Sequence, residues 1–216
     1  MGDINMKTKK LVCGIGLNDA DYVVVKREEI GRIDGKRKQR QVWMCDYYQT
    51  WVDMLKRCYS TKKQEKHPTY AGCTVATEWL TFSKFKTWME SQDWVGLQLD
   101  KDLLFQGNKI YSPDTCVFVS QTVNKFANDH GASRGEWKIG ATWNKEKGKF
   151  QSQCSNPFTK KRGHLGYFDS EQEAHQAWLK RKLELAKELA AIQTDPRVAK
   201  ALILKYTNYK QASMGN

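Results

Sequence analysis

Lys138-Ile139-Gly140-Ala141-Thr142-Trp143, the run from Lys149 to Ser155, and Gly163-His164-Leu165-Gly166-Tyr167-Phe168 are three short β-forming stretches set between turn signals. Lys145-Glu146-Lys147-Gly148 joins the first two through a glycine able to take a positive φ, and Asn156-Pro157 interrupts the chain before the third. Three antiparallel strands need a partner to bury their apolar face. A helix follows at once: Ser170-x-x-Glu173 reads as a capping box, and Ala174, Trp178, Leu185, Leu189 and Ile192 give an apolar stripe that Pro196 ends. The spacing predicts a three-stranded antiparallel sheet packed on one helix over residues 131–195, with a basic, loosely ordered tail over 196–216.

Charge gathers on the same stretch. The 216-residue chain carries 36 Lys and Arg against 24 Asp and Glu, a formal charge of +12, and its pI is near 9.4. Residues 131–165 hold eight Lys or Arg and two acids, whereas residues 41–130 are balanced. A polyanion is the expected partner and this segment the expected contact. The sequence has no apolar run long enough to span a bilayer, and its start lacks a hydrophobic signal segment, so no membrane partner and a cytoplasmic location are expected. Six cysteines lie far apart without a C-x-x-C pair, which signals neither a zinc ribbon nor a disulfide framework; reduced, buried thiols are expected.

Upstream, residues 1–42 read as one or two strands ending in a basic loop from Arg32 to Arg40, either solvated or gripping phosphates. Trp51, Met54, Leu55 and Cys58 recur at helical spacing between Tyr47 and Tyr59, and Phe82, Phe85 and Met89 repeat it. Trp51, Trp79 and Trp88 fall where large residues fill such a core. Leu99 to Leu103, a turn at Gly107-Asn108, and Tyr111 to Val119 suggest an extended hairpin, with Ser112-Pro113-Asp114 marking a turn before a buried strand. A helix carrying Asn124 is expected after it.

Gly140-Ala141-Thr142-Trp143-Asn144, then Gly148-Lys149-Phe150, then Leu165-Gly166-Tyr167-Phe168-Asp169-Ser170, then Glu173-Ala174, resemble the DNA-binding domain of plant ethylene-response factors, of which phage homing endonucleases carry similar versions. The resemblance implies a sheet laid in the major groove of double-stranded DNA. Thr142, Asn144, Gln153, Ser155, Arg162 and His164 would read bases, and Lys145, Lys147, Lys160 and Lys161 would hold phosphates. Plant members favour Arg and Trp at several of these positions, so the target sequence does not carry over. The residue types agree independently: Gln151 and Gln153 share a strand face, Asn or Gln suits adenine, and Arg suits guanine. Ordinary polar residues on a solvated face remain the alternative. His175, on the helix without a partner four residues on, reads as structural.

Residues 43–128 resemble phage HNH-like endonucleases through Trp51-x-x-Met54-Leu55-Lys56-Arg57-Cys58-Tyr59-Ser60, Leu99 to Asp102, Gly107-Asn108-Lys109-x-Tyr111-Ser112-Pro113-Asp114-Thr115-Cys116, and Asn124. The resemblance implies a ββα-metal module over 43–130 in which one divalent ion, Mg²⁺ or Mn²⁺, assists phosphodiester hydrolysis. Carried over, Asp100 is the metal carboxylate. In an extended strand Asp102 points to the same face as Asp100, and Asp114 or Asn108 would complete a magnesium shell of oxygen ligands. Asp100, Lys101 and Asn124 form the catalytic set. Lys101 stands where the family has its histidine base and Thr115 where it has asparagine; an ordinary lysine is protonated at neutral pH and accepts no proton. His67 and His130 are the nearest substitutes in sequence.

The expected fold is therefore α+β: a degenerate HNH-like ββα-metal module followed by a three-stranded antiparallel sheet on one helix. The expected function is that of a DNA endonuclease of the phage HNH type, binding double-stranded DNA and cutting or nicking it at a site chosen by the sheet. The alternative is a catalytically inactive DNA-binding or regulatory protein on a decayed nuclease scaffold. A basic surface that meets an acidic protein or RNA is the third reading.

Overall fold

The structure is a computed structural model in which residues 11–128 and 136–214 are described, with side chains to residue 208. Two compact units divide the chain, Met1–Val95 with Gly107–Phe118, and Gly96–Gln106 with Val119–Asn216. The stretch 43–130 contributes to both.

The first unit begins with an antiparallel hairpin, β1 (Val25–Ile33) and β2 (Lys36–Met44). Asp34 and Gly35 carry φ of 50° and 71°, the two left-handed positions of a tight hairpin turn. This confines the turn to two residues, so the basic segment expected as a loop from Arg32 to Arg40 is mostly paired strand. Helix α1 (Asp46–Tyr59) buries Trp51, Met54, Leu55 and Cys58, as its periodicity predicts, and Val52 with them. The short α2 (Thr61–Lys66) is capped by the Ser60 side chain. After β3 (Thr74–Val75), α3 (Phe82–Glu90) buries Phe82, Phe85 and Met89 against the first helix. Trp51 Nε1 donates to the Trp79 carbonyl at 2.7 Å, and Trp79 packs on Phe85 and Trp88. Gly16 permits this packing, because a Cβ there would lie 2.4 Å from Leu55 Cδ1.

Next in order come β4 (Gln98–Asp100), β5 (Ile110–Tyr111), β6 (Val117–Val119) and α4 (Gln121–Ala127). Tyr111 to Val119 is not one extended run. Thr115 and Cys116 donate backbone N–H groups to the Ser112 carbonyl, which makes the turn predicted at Ser112-Pro113-Asp114. Strand β5 pairs in parallel with β3, Thr74 opposite Ile110 and Val75 opposite Tyr111. This long-range pairing of two-residue strands has no periodicity to announce it.

The second unit bears out the three-strand-plus-helix prediction. β7 (Ala141–Asn144), β8 (Lys149–Ser155) and β9 (Arg162–Phe168) form an antiparallel sheet in that order. Helix α5 (Glu171–Ala190) packs on it, and both halves of the Ser170/Glu173 capping box are formed. Ser152, fully buried, donates through Oγ to the Ala174 carbonyl at 2.8 Å and locks sheet to helix. His175 is buried, with Nδ1 2.8 Å from the Ile139 carbonyl oxygen and its ring against Trp178.

Two expectations for the end of the chain are corrected. Helix α5 stops at Ala190, and Ile192, placed in its stripe, is 65% exposed. Pro196 begins rather than ends a helix: α6 (Pro196–Met214) replaces the loosely ordered tail. Proline at a first helical position forfeits no hydrogen bond. Val198, Ala201, Leu202 and Tyr206 of α6 are buried, and α6 packs along α5.

Candidate nucleic-acid interface

The sheet has one covered and one open face. Ala141 pairs with Ser152, whose side chain meets α5, and Cys154 is buried on the same side, opposite Gly163. Side chains alternate along a strand, so Thr142, Asn144, Gln151, Gln153 and Ser155 point away from the helix. Register carries the assignment to β9. Gln153 faces His164 and Ser155 faces Arg162, which puts all six expected base-reading residues on the open side.

The register shifts between Ser152 and Gln153, leaving Leu165 as the extra residue on β9. Tyr167 therefore joins His164 on the open face, and their rings lie 4.8 Å apart. Gln151 Nε2 is 3.2 Å from His164 Nδ1. Strict alternation hides Tyr167 from a reading of the sequence, because it lies an odd number of residues from both Arg162 and His164. Asn144 is less free to act. Its Oδ1 accepts the Lys147 backbone N–H at 2.9 Å, fixing the turn and leaving the amide NH₂.

The four expected phosphate lysines occupy two exposed turns at opposite ends of β8, Lys145 and Lys147 before it, Lys160 and Lys161 after it. The turns stand about 20 Å apart at the usual strand rise. Lys160 has φ of 57°, in a turn tied by the Lys160 N–H to the Asn156 carbonyl. Strand β7 begins at Ala141, the partner of Ser152, so nothing from β7 pairs with the Gln153–Ser155 end of β8. A groove of about 940 Å³ opens there, between that end and α4. Lys125, Lys138, Lys160, Arg162 and Lys182 line it, and none of the described residues that line it is acidic.

The Asp100 region is arranged differently from expectation. Strand β4 ends at Asp100 and residues 101–105 bend, so Asp100 and Asp102 do not share a face of one extended strand. Asp100 Oδ1 accepts backbone N–H groups from Asp102 and Leu103 at 2.9 and 2.7 Å. Burial pushes its carboxyl above the usual range, the Asp102 charge adds to this, and the two N–H groups oppose it. Lys101 is buried, with Nζ 2.9 Å from Asp102 Oδ2. Asn124, on α4, donates to Gln98 Oε1 at 2.8 Å, two residues before Asp100. Thr115 closes the turn after β5, its hydroxyl donating to the Ile110 carbonyl at 2.7 Å. Among the described residues no group of three or more His, Cys, Asp and Glu is placed to hold a metal ion. His67 ends α2, and His130 lies outside the described residues.

No helix among the described residues is long and apolar enough to cross a membrane. The chain matches no protein-family profile, and comparisons with curated proteins and with solved structures likewise gave no match.

Proposed function

We propose that the protein binds double-stranded DNA through the open face of the β7-β8-β9 sheet. The observation that carries this reading is one polar face, with Thr142, Gln151, Gln153, Ser155, Arg162 and His164, framed by lysine turns at both ends of β8. Glutamine and arginine side chains match the major-groove edges of adenine and guanine, and lysines at the flanks suit phosphates. The groove lined by Lys125, Lys138, Lys160, Arg162 and Lys182 extends the same positive surface. Selection of bound duplexes from a random pool tests the reading. The wild-type chain enriches a defined sequence, and Gln153→Ala with Arg162→Ala weakens or changes that preference. Equal recovery of all duplexes by both proteins overturns it.

The second reading is metal-dependent cleavage at Asp100 and Asp102. Its support is two carboxylates close enough for the charge of one to raise the other, in a chain whose elements run β4, β5, β6 and then α4. Mg²⁺ commonly takes one or two carboxylates and completes its shell with water and phosphate. The fit is partial, since Lys101 already pairs with Asp102 and one Asp100 oxygen serves the turn. Incubation of supercoiled plasmid with Mg²⁺ or Mn²⁺ decides it: nicking lost in Asp100→Asn supports cleavage, and an intact plasmid with wild-type protein removes it.

A further inference from the structure

Among the described residues, none covers either face of the β1–β2 hairpin of the first unit beyond its base. Every residue of β1 after Val25 and every residue of β2 before Met44 is exposed. A two-stranded ribbon gains little stability alone, and nine-residue strands left uncovered imply a partner. The anchorage is at the base, where Val24 is buried and its carbonyl accepts the Cys45 N–H at 2.9 Å.

The charge along the ribbon says which kind of partner. Residues 25–44 carry seven Lys or Arg and three acids. Arg32 stands directly opposite Arg37, an arrangement of like charges that weakens a hairpin. Glu29 relieves it in part, 3.7 Å from Arg32 and 3.6 Å from Arg37. Lys36 and Lys38 add two more exposed charges beside the Asp34-Gly35 turn. Repulsion held at the tip of an arm about 30 Å long is relieved by an anion, and a twisted two-stranded ribbon fits the major groove of B-DNA.

We infer that the β1–β2 hairpin is a second DNA-binding arm, which inserts into a groove of duplex DNA and places Arg32, Lys36, Arg37 and Lys38 on phosphates. The inference rests on duplex DNA being the partner of the C-terminal sheet, and the test separates the two claims.

Fluorescence anisotropy with a labelled duplex, between about 50 and 200 mM salt, compares the intact chain, a hairpin variant (Arg32→Ala, Lys36→Ala, Arg37→Ala, Lys38→Ala) and a sheet variant (Thr142→Ala, Gln153→Ala, Arg162→Ala). The hairpin side chains are exposed and two of them repel, so this variant should unfold at the wild-type temperature or above it. Its affinity should fall at least tenfold, and the slope of log affinity on log salt should flatten by about 0.9 for each phosphate no longer neutralised. Arg32→Lys with Arg37→Lys, in a chain that keeps Lys36 and Lys38, should retain most of the binding. Wild-type affinity and slope in the hairpin variant, with weakened binding in the sheet variant, overturn the arm and leave the sheet standing. Tight binding to an acidic protein or RNA that the hairpin variant loses, with duplex binding unchanged, also overturns it. No duplex binding by the intact chain overturns both.

Discussion

His164 and Tyr167 are three residues apart on one strand, yet their rings meet on the same face at 4.8 Å. The extra residue Leu165 produces this by shifting the pairing register of β9 against β8. Bulges re-aim side chains in this way and often lie beside functional surfaces. If the open face reads bases, His164→Ala and Tyr167→Ala should each reduce discrimination between the preferred duplex and a mutated one by about 1–3 kcal/mol. Both side chains are exposed, so thermal unfolding should move little. Competition binding checks this; a large fall in unfolding temperature would instead give these residues a structural role.

Gly140 sits at the start of the sheet with φ of 85°, and a Cβ there would lie 2.1 Å from Trp178 Cγ. Gly140→Ala combines backbone strain with a clash against a buried ring and should cost about 2–4 kcal/mol. Urea unfolding measures it. A loss below about 0.5 kcal/mol would mean that Trp178 does not approach the backbone at this point.

The Asp100 carboxyl is raised above its usual range, chiefly by burial. It therefore holds a proton more tightly in the folded chain than in the unfolded one. Between the ordinary Asp value and the raised one, the folded state binds more protons, so this group makes stability fall as pH rises through that window and opposes folding at neutral pH. Asp100→Asn keeps an oxygen for the Asp102 and Leu103 N–H groups while removing the charge. It should match or exceed wild-type stability at pH 7, with the difference narrowing in acid. Asp100→Ala, which removes the acceptor, should cost about 1–2 kcal/mol relative to Asn. Thermal melts across pH check both; an Asn variant less stable than wild type at neutral pH would contradict the assignment.

Tyr206 of α6 is fully buried and donates its hydroxyl to the Phe126 carbonyl at 2.9 Å, with its ring on Phe126 and near Trp178. Tyr206→Phe should cost about 1 kcal/mol, and Leu202→Ala, at another fully buried position, about 2–5 kcal/mol. Chemical unfolding tests this. Near-neutral effects at both positions would mean that α6 does not pack as described.

Local signals were the legible ones. The Ser170/Glu173 box, the helical spacing of Trp51, Met54, Leu55 and Cys58, and the glycine turn at Gly148 each act over a few residues, so the sequence displays them directly. Helix α6 was equally written, in Val198, Ala201, Leu202 and Tyr206, but Pro196 reads as an end unless the residues after it are tested for period. The bulge at Leu165 and the parallel pairing of β3 with β5 depend on strands distant in sequence, which no local pattern encodes. At the candidate nuclease site, sequence put Asp100 and Asp102 on one strand face. The bend after Asp100, tied by its Oδ1 accepting the Asp102 and Leu103 N–H groups, and the ion pair of buried Lys101 with Asp102 are not revealed by residue identity alone.

Titration of the intact chain with double-stranded DNA over a range of salt concentrations tests the central claim most directly. Binding through the open sheet face and its flanking lysines predicts tight association at low salt and a linear fall of log affinity with log salt, about 0.9 per phosphate neutralised. That binding should weaken sharply when Lys145, Lys147, Lys160 and Lys161 are replaced by Ala. Failure to bind duplex DNA at low salt, or binding untouched by those replacements and by Gln153→Ala with Arg162→Ala, would contradict it.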